Sequence, residues 1–418
     1  MQKFIVKGGN PLKGTVKISG SKNASLPIIT ACLLTKEKCT LKNVPDIADI
    51  HTMCKILNSL NVETNFEKNT LEIDAKNATL KDIKTNLVNK MRASILLLGP
   101  LLARFNKAKL PFPGGCVLGK RSVDTHLDAL EGLNCKVSEK DNVLTVQSDG
   151  LKGNKIIMTE ISVTATENAV MAAVLAKGKT EIRLAACEPH VQDLCNFLNK
   201  MGAKIKGIGT NNLEIEGVSK LKGITYTVTP DYLEAGTFAI AAAITKGDVT
   251  IENVRTDQLD SFWNALAEVG VNFKFEKEDK VVIKPAKKFN KIKQLRTAVY
   301  PSFPTDLQAP FTVLLTQASG ISKIFETLFE GRLNYLFELE KMGAKVEILN
   351  PHEAIIVGPS KLKGTPIASC DIGAGAAMVV AALAADGETE ISNINYTDRG
   401  YERLDEKLRN LGAEIQRV

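Results

Sequence analysis

The sequence predicts an α/β protein built from six repeats of one βαβαββ-type unit, with three repeats in each of two domains. Three observations support this fold class. A short motif recurs at even spacing, helical and strand periodicities alternate along the chain, and 418 residues suffice for two domains of about 200 residues each. The composition is that of an ordinary globular protein, with 44% hydrophobic and 24% charged residues.

The recurring motif marks the end of a helix, a small turn and the start of a β-hairpin. Its copies begin 68 to 73 residues apart, and six copies at that spacing indicate a repeated architecture. The copies are Leu60-Asn61-Val62, Leu133-Asn134-Cys135, Met201-Gly202-Ala203, Val269-Gly270-Val271, Met342-Gly343-Ala344 and Leu411-Gly412-Ala413.

Each repeat follows one plan. An entry strand leads into a polar turn and an Ala-rich helix, such as Glu234 to Thr245. A glycine-bounded strand (247–253), an amphipathic helix (259–269) and the motif with its hairpin complete the repeat. The first helix is apolar nearly all round, so we expect it to be buried. The entry segments are Leu12-Lys13-Gly14, Leu151-Lys152-Gly153, Leu221-Lys222-Gly223 and Leu362-Lys363-Gly364.

The N-terminal segment resembles a strand of the fifth repeat. Residues 3–8 match the pattern of residues 354–358, and the sixth repeat reaches Val418 with only one strand of its hairpin. We therefore predict that the N-terminal strand completes the last repeat. One domain would then hold residues 1–20 and 230–418 and the other residues 21–229, and the two crossings between them would form a hinge.

Charge and cysteine usage exclude several classes of protein. The chain has 54 basic and 47 acidic residues, a net charge of +7 that is mixed along the sequence, whereas nucleic-acid binders usually cluster their basic residues. No signal peptide or membrane-spanning run is evident, so neither a membrane nor a nucleic-acid partner is expected. The eight Cys and four His lack metal-ligand spacing, which favours free thiols in a reducing cytoplasm and no structural zinc.

The most unusual polar residues fall in the turn before each buried helix. Helix N-termini attract anions, so six such turns would suit phosphates and carboxylates if they faced one cleft. The alternative is that the Ser, Asp and Asn residues there are only N-caps. Lys22 and Arg92 are poor caps, which favours ligand binding. The six positions are Lys22-Asn23, Arg92, Ser162-Val163-Thr164, Asp231, Asp306 and Asp371.

Two further segments carry residues suited to acid–base chemistry. Residues 111–125 form a Pro/Gly-rich loop in which Cys116 lies near Lys120 and Arg121, and positive charge makes a thiolate more available. The other cysteines lie mostly in apolar segments, where inert thiols are expected. In residues 300–308, two prolines precede Asp306 and would hold its carboxylate as a general base requires, although an N-cap explains this segment almost as well.

These segments carry a resemblance that spans the whole chain. The sequence resembles the enolpyruvyl transferase family, and within it the members that act on UDP-N-acetylglucosamine. The resemblance implies a fold of two inside-out α/β barrel domains with three repeats each. The matching segments are Ile18-Ser19-Gly20-Ser21-Lys22-Asn23-Ala24, Met91-Arg92-Ala93-Ser94, Pro113-Gly114-Gly115-Cys116, Phe303-Pro304-Thr305-Asp306-Leu307-Gln308-Ala309 and Asp398-Arg399-Gly400-Tyr401-Glu402-Arg403.

The resemblance also implies a reaction. Phosphoenolpyruvate would react with the 3′-hydroxyl of UDP-N-acetylglucosamine through a tetrahedral ketal to give an enolpyruvyl ether and phosphate, the first committed step of peptidoglycan synthesis. We expect no metal or organic cofactor, a cytoplasmic location and a monomer.

The resemblance assigns roles to individual residues. Cys116 would donate a proton to phosphoenolpyruvate, and Asp306 would orient or deprotonate the sugar hydroxyl. Lys22, Arg121 and Arg399 would bind the phosphate and carboxylate groups. The residues expected to contact the nucleotide sugar and sugar are Asn23, Arg92, Arg121, Ser122, Val123, Asp124, Thr125, Ser162, Val163, Asp306 and Leu328.

Four positions depart from the family pattern. Gly373 stands where the family usually has an Arg that would bind phosphoenolpyruvate, and Cys187 replaces another Arg. Glu160 replaces a Lys and Thr164 a Gly near the uridine site. These departures leave two hypotheses. The first is a working transferase, which the retained acid, base and cations favour. The second is a nucleotide-sugar-binding paralogue with little turnover.

Overall fold

The computed structural model describes residues 2–114 and 123–418. These residues form two compact units. The terminal unit contains residues 2–19 and 230–418, and the inserted unit contains residues 20–114 and 123–229. Among the described residues, no helix combines the length and apolar character needed to cross a bilayer.

The strands are mostly two to six residues long. They are β1 (Phe4–Lys7), β2 (Lys13–Lys17), β3 (Cys39–Lys42), β4 (Glu63–Glu67), β5 (Thr70–Asp74), β6 (Lys107–Pro111), β7 (Lys136–Lys140), β8 (Val143–Gln147), β9 (Lys155–Ile157), β10 (Lys179–Arg183), β11 (Lys204–Lys206), β12 (Asn212–Glu216), β13 (Thr225–Thr227), β14 (Asp248–Glu252), β15 (Asn272–Lys277), β16 (Lys280–Lys284), β17 (Phe289–Asn290), β18 (Gln294–Arg296), β19 (Ala318–Phe325), β20 (Lys345–Asn350), β21 (Glu353–Gly358), β22 (Ile367–Ala368), β23 (Glu388–Ser392) and β24 (Glu414–Arg417).

The helices alternate with these strands, and several are preceded or followed by a 3-10 turn. The α-helices are α1 (Lys22–Ala31), α2 (Ala48–Ser59), α3 (Thr85–Val88), α4 (Leu98–Phe105), α5 (Asp124–Glu131), α6 (Val163–Ala173), α7 (Pro189–Met201), α8 (Tyr232–Ile244), α9 (Asp260–Val269), α10 (Gln308–Leu315), α11 (Leu336–Lys341), α12 (Ile372–Ala384) and α13 (Leu404–Asn410). The 3-10 turns are Cys32–Leu34, Arg92–Leu97, Thr256–Gln258, Thr305–Leu307, Arg332–Tyr335 and Thr397–Arg399.

The sheets share one plan. In the terminal unit their strand orders are β22-β23-β1-β24, β15-β16-β14-β2 and β17-β19-β21-β20, with β18 also pairing with β19. In the inserted unit the orders are β13-β3-β5-β4, β6-β8-β7 and β11-β12-β10-β9. In five of the six sheets formed by the described residues, an entry strand pairs in parallel with its neighbour and the remaining pairs are antiparallel.

The recurring motif has a backbone explanation. Its middle residue adopts a positive φ in all six copies, from 61° at Asn61 to 110° at Gly202. Gly and Asn tolerate this left-handed conformation, which ends a helix and turns the chain into the next strand. The motif is therefore a helix C-terminus that only a few residue types can form.

The N-terminal strand completes the last sheet, as predicted. β1 lies between β23 and β24 and pairs antiparallel with both, with Phe4 opposite Ile391 on one side and Arg417 on the other. β21 lies between β19 and β20 in the same way. The sixth repeat is thus closed by residues from the start of the chain.

Two entry strands pair outside the repeat whose helix they precede. β2, which precedes the first repeat's helix α1, pairs with β14 of the fourth repeat. β13, which precedes the fourth repeat's helix α8, pairs with β3 of the first. The chain passes from one unit to the other directly after each of these strands, so each strand remains in the unit that the chain is leaving.

The first helix of each repeat is buried, as its composition predicts. In the terminal unit α8, α10 and α12 pack against one another, and all eight residues of α10 are buried. In the inserted unit α4 packs against α6, and α1 is buried from Ala24 to its end. The starts of these helices carry the candidate site.

Candidate functional site

The six predicted positions all lie at the start of a buried helix. In the inserted unit, Lys22 is the first residue of α1, Arg92 opens the 3-10 turn that runs into α4, and Ser162 precedes α6. In the terminal unit, Asp231 precedes α8, Asp306 lies in the 3-10 turn before α10, and Asp371 precedes α12.

The capping alternative explains two of these residues. Asp231 Oδ1 accepts hydrogen bonds from the N–H groups of Leu233 (2.8 Å) and Glu234 (3.1 Å). Asp371 Oδ1 accepts one from the N–H of Ala374 at 3.0 Å. The side chains of Ser162 and Lys22 do not cap their helices, and the cap of α1 is Ser21. Asp306 lies within the 3-10 turn itself, one residue after its first residue Thr305.

Asp306 is instead held by a buried arginine. Arg332 Nη2 donates to Asp306 Oδ1 at 2.9 Å, and Arg332 Nη1 lies 3.8 Å from Asp371 Oδ1. The arginine side chain is only 4% exposed, whereas that of Asp306 is 44% exposed. An aspartate with one oxygen fixed by a buried cation and an accessible carboxylate group has the arrangement that a general base requires.

Sequence reasoning missed Arg332. Its guanidinium also lies over the ring of Phe329, 5.0 Å from the ring centroid. Burial alone would lower the pKa of Arg332, but the carboxylates of Asp306, Asp371 and Glu326 raise it above its usual value, so the side chain stays charged. The only sequence signal was a single arginine before the apolar run that begins at Leu333.

Glu326 is a second residue that the sequence did not reveal. This fully buried carboxylate accepts a hydrogen bond from Thr305 Oγ1 at 2.8 Å through Oε2 and from the N–H of Leu328 at 2.9 Å through Oε1. It therefore links the residue before Asp306 to the predicted sugar contact Leu328, whose side chain is partly exposed.

The departure at Gly373 faces the same group of residues. A Cβ atom at this position would lie 3.3 Å from the carbonyl oxygen of Asp306 and 3.5 Å from Arg332 Nη1. A side chain at position 373 would thus project beside the Asp306–Arg332 pair, and in this chain that space is left to a glycine.

Arg399 lies at the end of a firmly held turn. It is the last residue of the 3-10 turn that begins at Thr397, and it is half-buried. The preceding residue, Asp398, accepts two hydrogen bonds of 2.8 Å from Arg417, which belongs to β24. This bidentate pair fixes the backbone from which Arg399 projects.

In the inserted unit, Lys22 is paired with a carboxylate. Its Nζ lies 3.3 Å from Asp49 Oδ2 of α2, and the two side chains are 17% and 5% exposed. A cation in the first turn of a helix is disfavoured by the helix dipole, so its presence there requires a compensating anion. Asp49 supplies one, and Asn23 follows on the same helix.

The start of α5 brings together several predicted residues. Val123 precedes the helix, Asp124 is its first residue and Thr125 is buried behind them. Thr125 Oγ1 donates to Glu160 Oε1 at 3.2 Å and lies 3.1 Å from Thr159 Oγ1. These contacts join the start of α5 to the segment before α6.

His126 completes this group and was not predicted. Its Nε2 lies 3.1 Å from Thr164 Oγ1, in the first turn of α6. Burial and the charge of Arg92 lower the pKa of His126 to about 4, so the ring is neutral near pH 7. Arg92, Thr125 and the start of α6 are therefore neighbours around one neutral imidazole.

Cys116, Arg121 and Ser122 lie outside the described residues, so their predicted roles stay predictions. Burial raises the pKa of Cys54, Cys135 and Cys370 to about 11 and that of Cys195 to about 12. The pKa values of Cys32 and Cys187 are also raised by burial, whereas a hydrogen bond from Cys32 lowers that of the fully buried Cys39. Apart from Cys39, these thiols resist ionisation.

No group of three His, Cys, Asp or Glu residues within 2–114 and 123–418 is arranged to hold a metal ion. The site chemistry available in the described residues is thus that of a carboxylate held by a cation, and of cations at helix starts.

Comparison with known proteins agrees with this arrangement. A family model described as EPSP synthase (3-phosphoshikimate 1-carboxyvinyltransferase) matches residues 6–408. Proteins named UDP-N-acetylglucosamine 1-carboxyvinyltransferase from Halothermothrix orenii and Clostridium botulinum are 44% and 45% identical over 418 and 420 residues, which cover 100% of this chain and of each relative. The relative of that name from Borreliella burgdorferi is 42% identical and is covered to 99%.

Solved structures share the fold. The enolpyruvyl transferase NikO from Streptomyces tendae superposes with a TM-score of 0.90 at 23% identity, covering 100% of this chain and 99% of NikO. EPSP synthase from Acinetobacter baumannii gives a TM-score of 0.79 at 18% identity, with both chains fully covered. The chain therefore belongs to the enolpyruvyl transferase family, which includes EPSP synthase and the UDP-N-acetylglucosamine 1-carboxyvinyltransferases.

Proposed function

We propose that the protein transfers the enolpyruvyl group of phosphoenolpyruvate to the 3′-hydroxyl of UDP-N-acetylglucosamine and releases phosphate. The observation that carries this conclusion is the similarity, at 42–45% identity over the full chain, to relatives named for that activity. The reaction is the first committed step of peptidoglycan synthesis. We place the enzyme in the cytoplasm as a monomer without a metal or organic cofactor.

The domain arrangement that fits this function is two inside-out α/β barrels of three repeats each. One would contain residues 1–20 and 230–418, and the other residues 21–229. Support comes from the buried packing of α8, α10 and α12 in the terminal unit and from the common strand order of the sheets.

The addition step requires a base and an acid. In our proposal Asp306 accepts the proton of the 3′-hydroxyl while the 3′-oxygen of the sugar forms a bond to C2 of phosphoenolpyruvate. The Cys116 thiol donates a proton to the methylene carbon, which gives a tetrahedral ketal. The bond between Arg332 and Asp306 supports this role, because a cation bound to one carboxylate oxygen favours the charged form that can accept a proton.

The elimination step regenerates the double bond. The thiolate left on Cys116 takes a proton from the methyl group, the bond between C2 and the phosphate oxygen breaks, and phosphate departs with the electron pair and the proton held by Asp306. Lys22, Arg121 and Arg399 are proposed to bind the phosphate and carboxylate throughout, since fixed cations stabilise charge that develops in the transition state. Arg399 is suited to this role by the turn that Asp398 and Arg417 hold in place.

The nucleotide sugar is assigned mainly to the inserted unit. We propose that it contacts the starts of α1, α5 and α6, where unsatisfied N–H groups favour the diphosphate. Asn23, Val123 to Thr125, Ser162 and Val163 belong to these segments. Arg92, which opens the 3-10 turn before α4, is also assigned to the nucleotide sugar, as are Arg121 and Ser122, which lie outside the described residues. Asp306 and Leu328 would contact the sugar.

The test is phosphate release from phosphoenolpyruvate with and without UDP-N-acetylglucosamine. We expect release only when both substrates are present, together with a nucleotide product heavier by one enolpyruvyl group in mass spectrometry. Binding of UDP-N-acetylglucosamine without phosphate release would overturn the proposal and favour a binding-only paralogue. Release that needs no nucleotide sugar would overturn the acceptor assignment.

The proton donor can be tested separately by thiol alkylation at pH 7.5. A thiol with a pKa near 11 is thiolate in less than about one molecule in a thousand, compared with roughly one in ten for an unperturbed thiol. We therefore expect iodoacetamide to modify Cys116 first and to abolish activity, with Cys116→Ser protein unmodified over the same period. Equal modification of Cys135 or Cys370, the most accessible of the other thiols, would contradict this role.

A further inference from the structure

Two segments of the inserted unit that carry predicted nucleotide-sugar contacts are tied together by side chains. The first is the start of α5 with Thr125 and His126, and the second is residues 159–164 before and within the first turn of α6. Thr125 Oγ1 contacts Glu160 Oε1 (3.2 Å) and Thr159 Oγ1 (3.1 Å), and His126 Nε2 lies 3.1 Å from Thr164 Oγ1. The two helices also pack against each other.

The contact between Thr164 and His126 is the better protected of these. His126 is 3% exposed and Thr164 is half-buried, whereas Thr159 and Glu160 are exposed. A hydrogen bond shielded from water contributes more to holding a geometry than one that solvent can replace. A hydroxyl can donate to Nε2 or accept from it, so this contact suits either tautomer of the neutral imidazole and fixes the orientation of the ring.

We propose that Thr164 is a positioning residue for nucleotide-sugar recognition. Its hydroxyl fixes the ring of His126 and thereby holds the first turn of α5, which presents Val123 to Thr125, against the first turn of α6, which follows Ser162. The inference rests on the proposed function.

The expected consequence is in binding and not in chemistry. If the two helix starts contact one ligand, their relative placement decides which fraction of the molecules is competent to bind. Removing the hydroxyl lowers that fraction, which weakens the apparent affinity for the nucleotide sugar. Asp306 and Arg332 belong to the terminal unit, whereas Thr164 belongs to the inserted unit, so turnover at saturation should be preserved.

The experiment measures UDP-N-acetylglucosamine binding to the full chain by isothermal titration calorimetry. Thr164→Val keeps the shape but removes the hydroxyl, and we expect it to raise Kd about 3- to 10-fold, the effect of one hydrogen bond. Thr164→Ser should restore most of the affinity. Thr52→Val is a matched control, since Thr52 in α2 of the same unit also loses one hydroxyl bond, to Ala48, and should leave Kd unchanged.

Nitrogen-15 NMR of the histidine side chains gives a readout that does not depend on ligand. We expect the Nε2 chemical shift of His126 to be the same in the wild type and in Thr164→Ser, and to change in Thr164→Val, because only that variant lacks the hydroxyl at Nε2. Wild-type Kd and a wild-type Nε2 shift in Thr164→Val would overturn the inference. A lower kcat with unchanged Kd would overturn it as well. If the wild type does not bind the nucleotide sugar, the proposed function fails, and the Nε2 shift alone decides whether Thr164 bonds to His126.

Discussion

The helix starts of the two units differ in charge, with three carboxylates in the terminal unit and two cations in the inserted unit. In the terminal unit the three positions are Asp231, Asp306 and Asp371, and in the inserted unit they are Lys22, Arg92 and Ser162. A carboxylate at a helix N-terminus is favourable, whereas a cation there is unfavourable, by about 0.3–1 kcal/mol in each case. All three helix starts of the terminal unit therefore carry the favourable charge, whereas Lys22 and Arg92 of the inserted unit carry the unfavourable one.

This difference in charge helps to separate functional residues from residues that only stabilise a helix. Asp231 and Asp371 cap their helices, so stability alone explains them. Lys22 and Arg92 oppose the helix dipole; Asp49 compensates the charge of Lys22, and the anionic substrate of the proposed function would give both cations a reason. Asp306 has the favourable charge and is also held by the buried Arg332. Residues that break a local rule are the better candidates for function.

The two units both keep buried ions in pairs, as in Glu234 with Lys407 in the terminal unit and Asp49 with Lys22 in the inserted unit. The inserted unit also holds two buried groups in their neutral form. Burial and the charge of Arg92 lower the pKa of His126 to about 4. Burial, and to a smaller extent the charge of Glu188, raise the pKa of Glu167 well above its usual value.

The largest expected effect is a loss of activity in Asp306→Asn that Asp371→Asn does not share. Asp306→Asn keeps an acceptor for Arg332 but removes the base, so kcat should fall roughly 10²- to 10⁴-fold with thermal stability preserved. Asp371→Asn retains a good N-cap and should lose at least about tenfold less activity. Steady-state phosphate release by both variants is the measurement. Equal losses would show that Asp371 does more than cap α12.

The next effect concerns the missing cation at position 373. A charge-assisted contact to phosphate contributes on the order of 1.5–3 kcal/mol, so Gly373→Arg should raise kcat/KM for phosphoenolpyruvate roughly 10- to 100-fold. Affinity for UDP-N-acetylglucosamine should change little. Gly373→Gln adds a long side chain without charge beside Arg332 and is the matched control. A slower Arg variant would mean that the neighbouring Arg332 leaves no place for a second cation.

Stability against pH tests the neutral groups of the inserted unit. The unfolded chain protonates His126 near pH 6.5 but the folded chain only near 4, so stability falls as pH drops through this range, by about 3 kcal/mol for this group. His126→Gln should flatten that fall. Glu167 has the opposite sign, because its raised pKa makes the folded state hold a proton that the unfolded chain releases above pH 4.5. Compared with the wild type, Glu167→Gln should therefore have a larger gain in the free energy of unfolding at pH 8.5 than at pH 5.

Urea unfolding of the wild type and both variants at pH 4.5, 6.5 and 8.5 measures these slopes. Parallel curves for the wild type and His126→Gln between pH 6.5 and 4.5 would contradict a neutral buried imidazole. A Glu167→Gln protein that is less stable than the wild type at pH 8.5 would show that the carboxylate is ionised in the folded state.

The smallest expected effects are changes in the free energy of unfolding at Asp231 and Ser162, which precede α8 and α6. Asp231→Ala removes two capping bonds and should lower the free energy of unfolding by about 0.5–2 kcal/mol. Ser162→Ala removes no capping bond and should cost only a few tenths of a kcal/mol. It should, however, weaken nucleotide-sugar binding. A Ser162→Ala protein that loses as much stability as Asp231→Ala would make Ser162 an ordinary cap.

Local signals in the sequence predicted much of this architecture. The motif could be found because a left-handed residue at a helix end admits little besides Gly and Asn, as at Asn134 and Gly270. The helix predicted to begin at Glu234 begins at Tyr232, because Asp231 is its cap. The pairing of β1 followed from a strand that the sixth repeat lacked.

Long-range contacts could not be predicted in the same way. Arg332 bonds to Asp306 across 26 residues and Thr164 to His126 across 38, and no periodicity encodes either pair. The exchange of β2 and β13 was also hidden, because every entry strand has the same local pattern whichever sheet it joins. Tertiary packing decides these features, so they became visible only in three dimensions.

The central place of β1 in its sheet sets an order of events during synthesis. β1 leaves the ribosome before its partner β24, which follows roughly 20 to 80 seconds later at common elongation rates. The inserted unit is complete once β13 has emerged and paired with β3, long before that moment. We therefore expect the inserted unit to fold while the chain is still growing. Until β24 arrives, β1 lacks this partner and exposes an unpaired edge to chaperones.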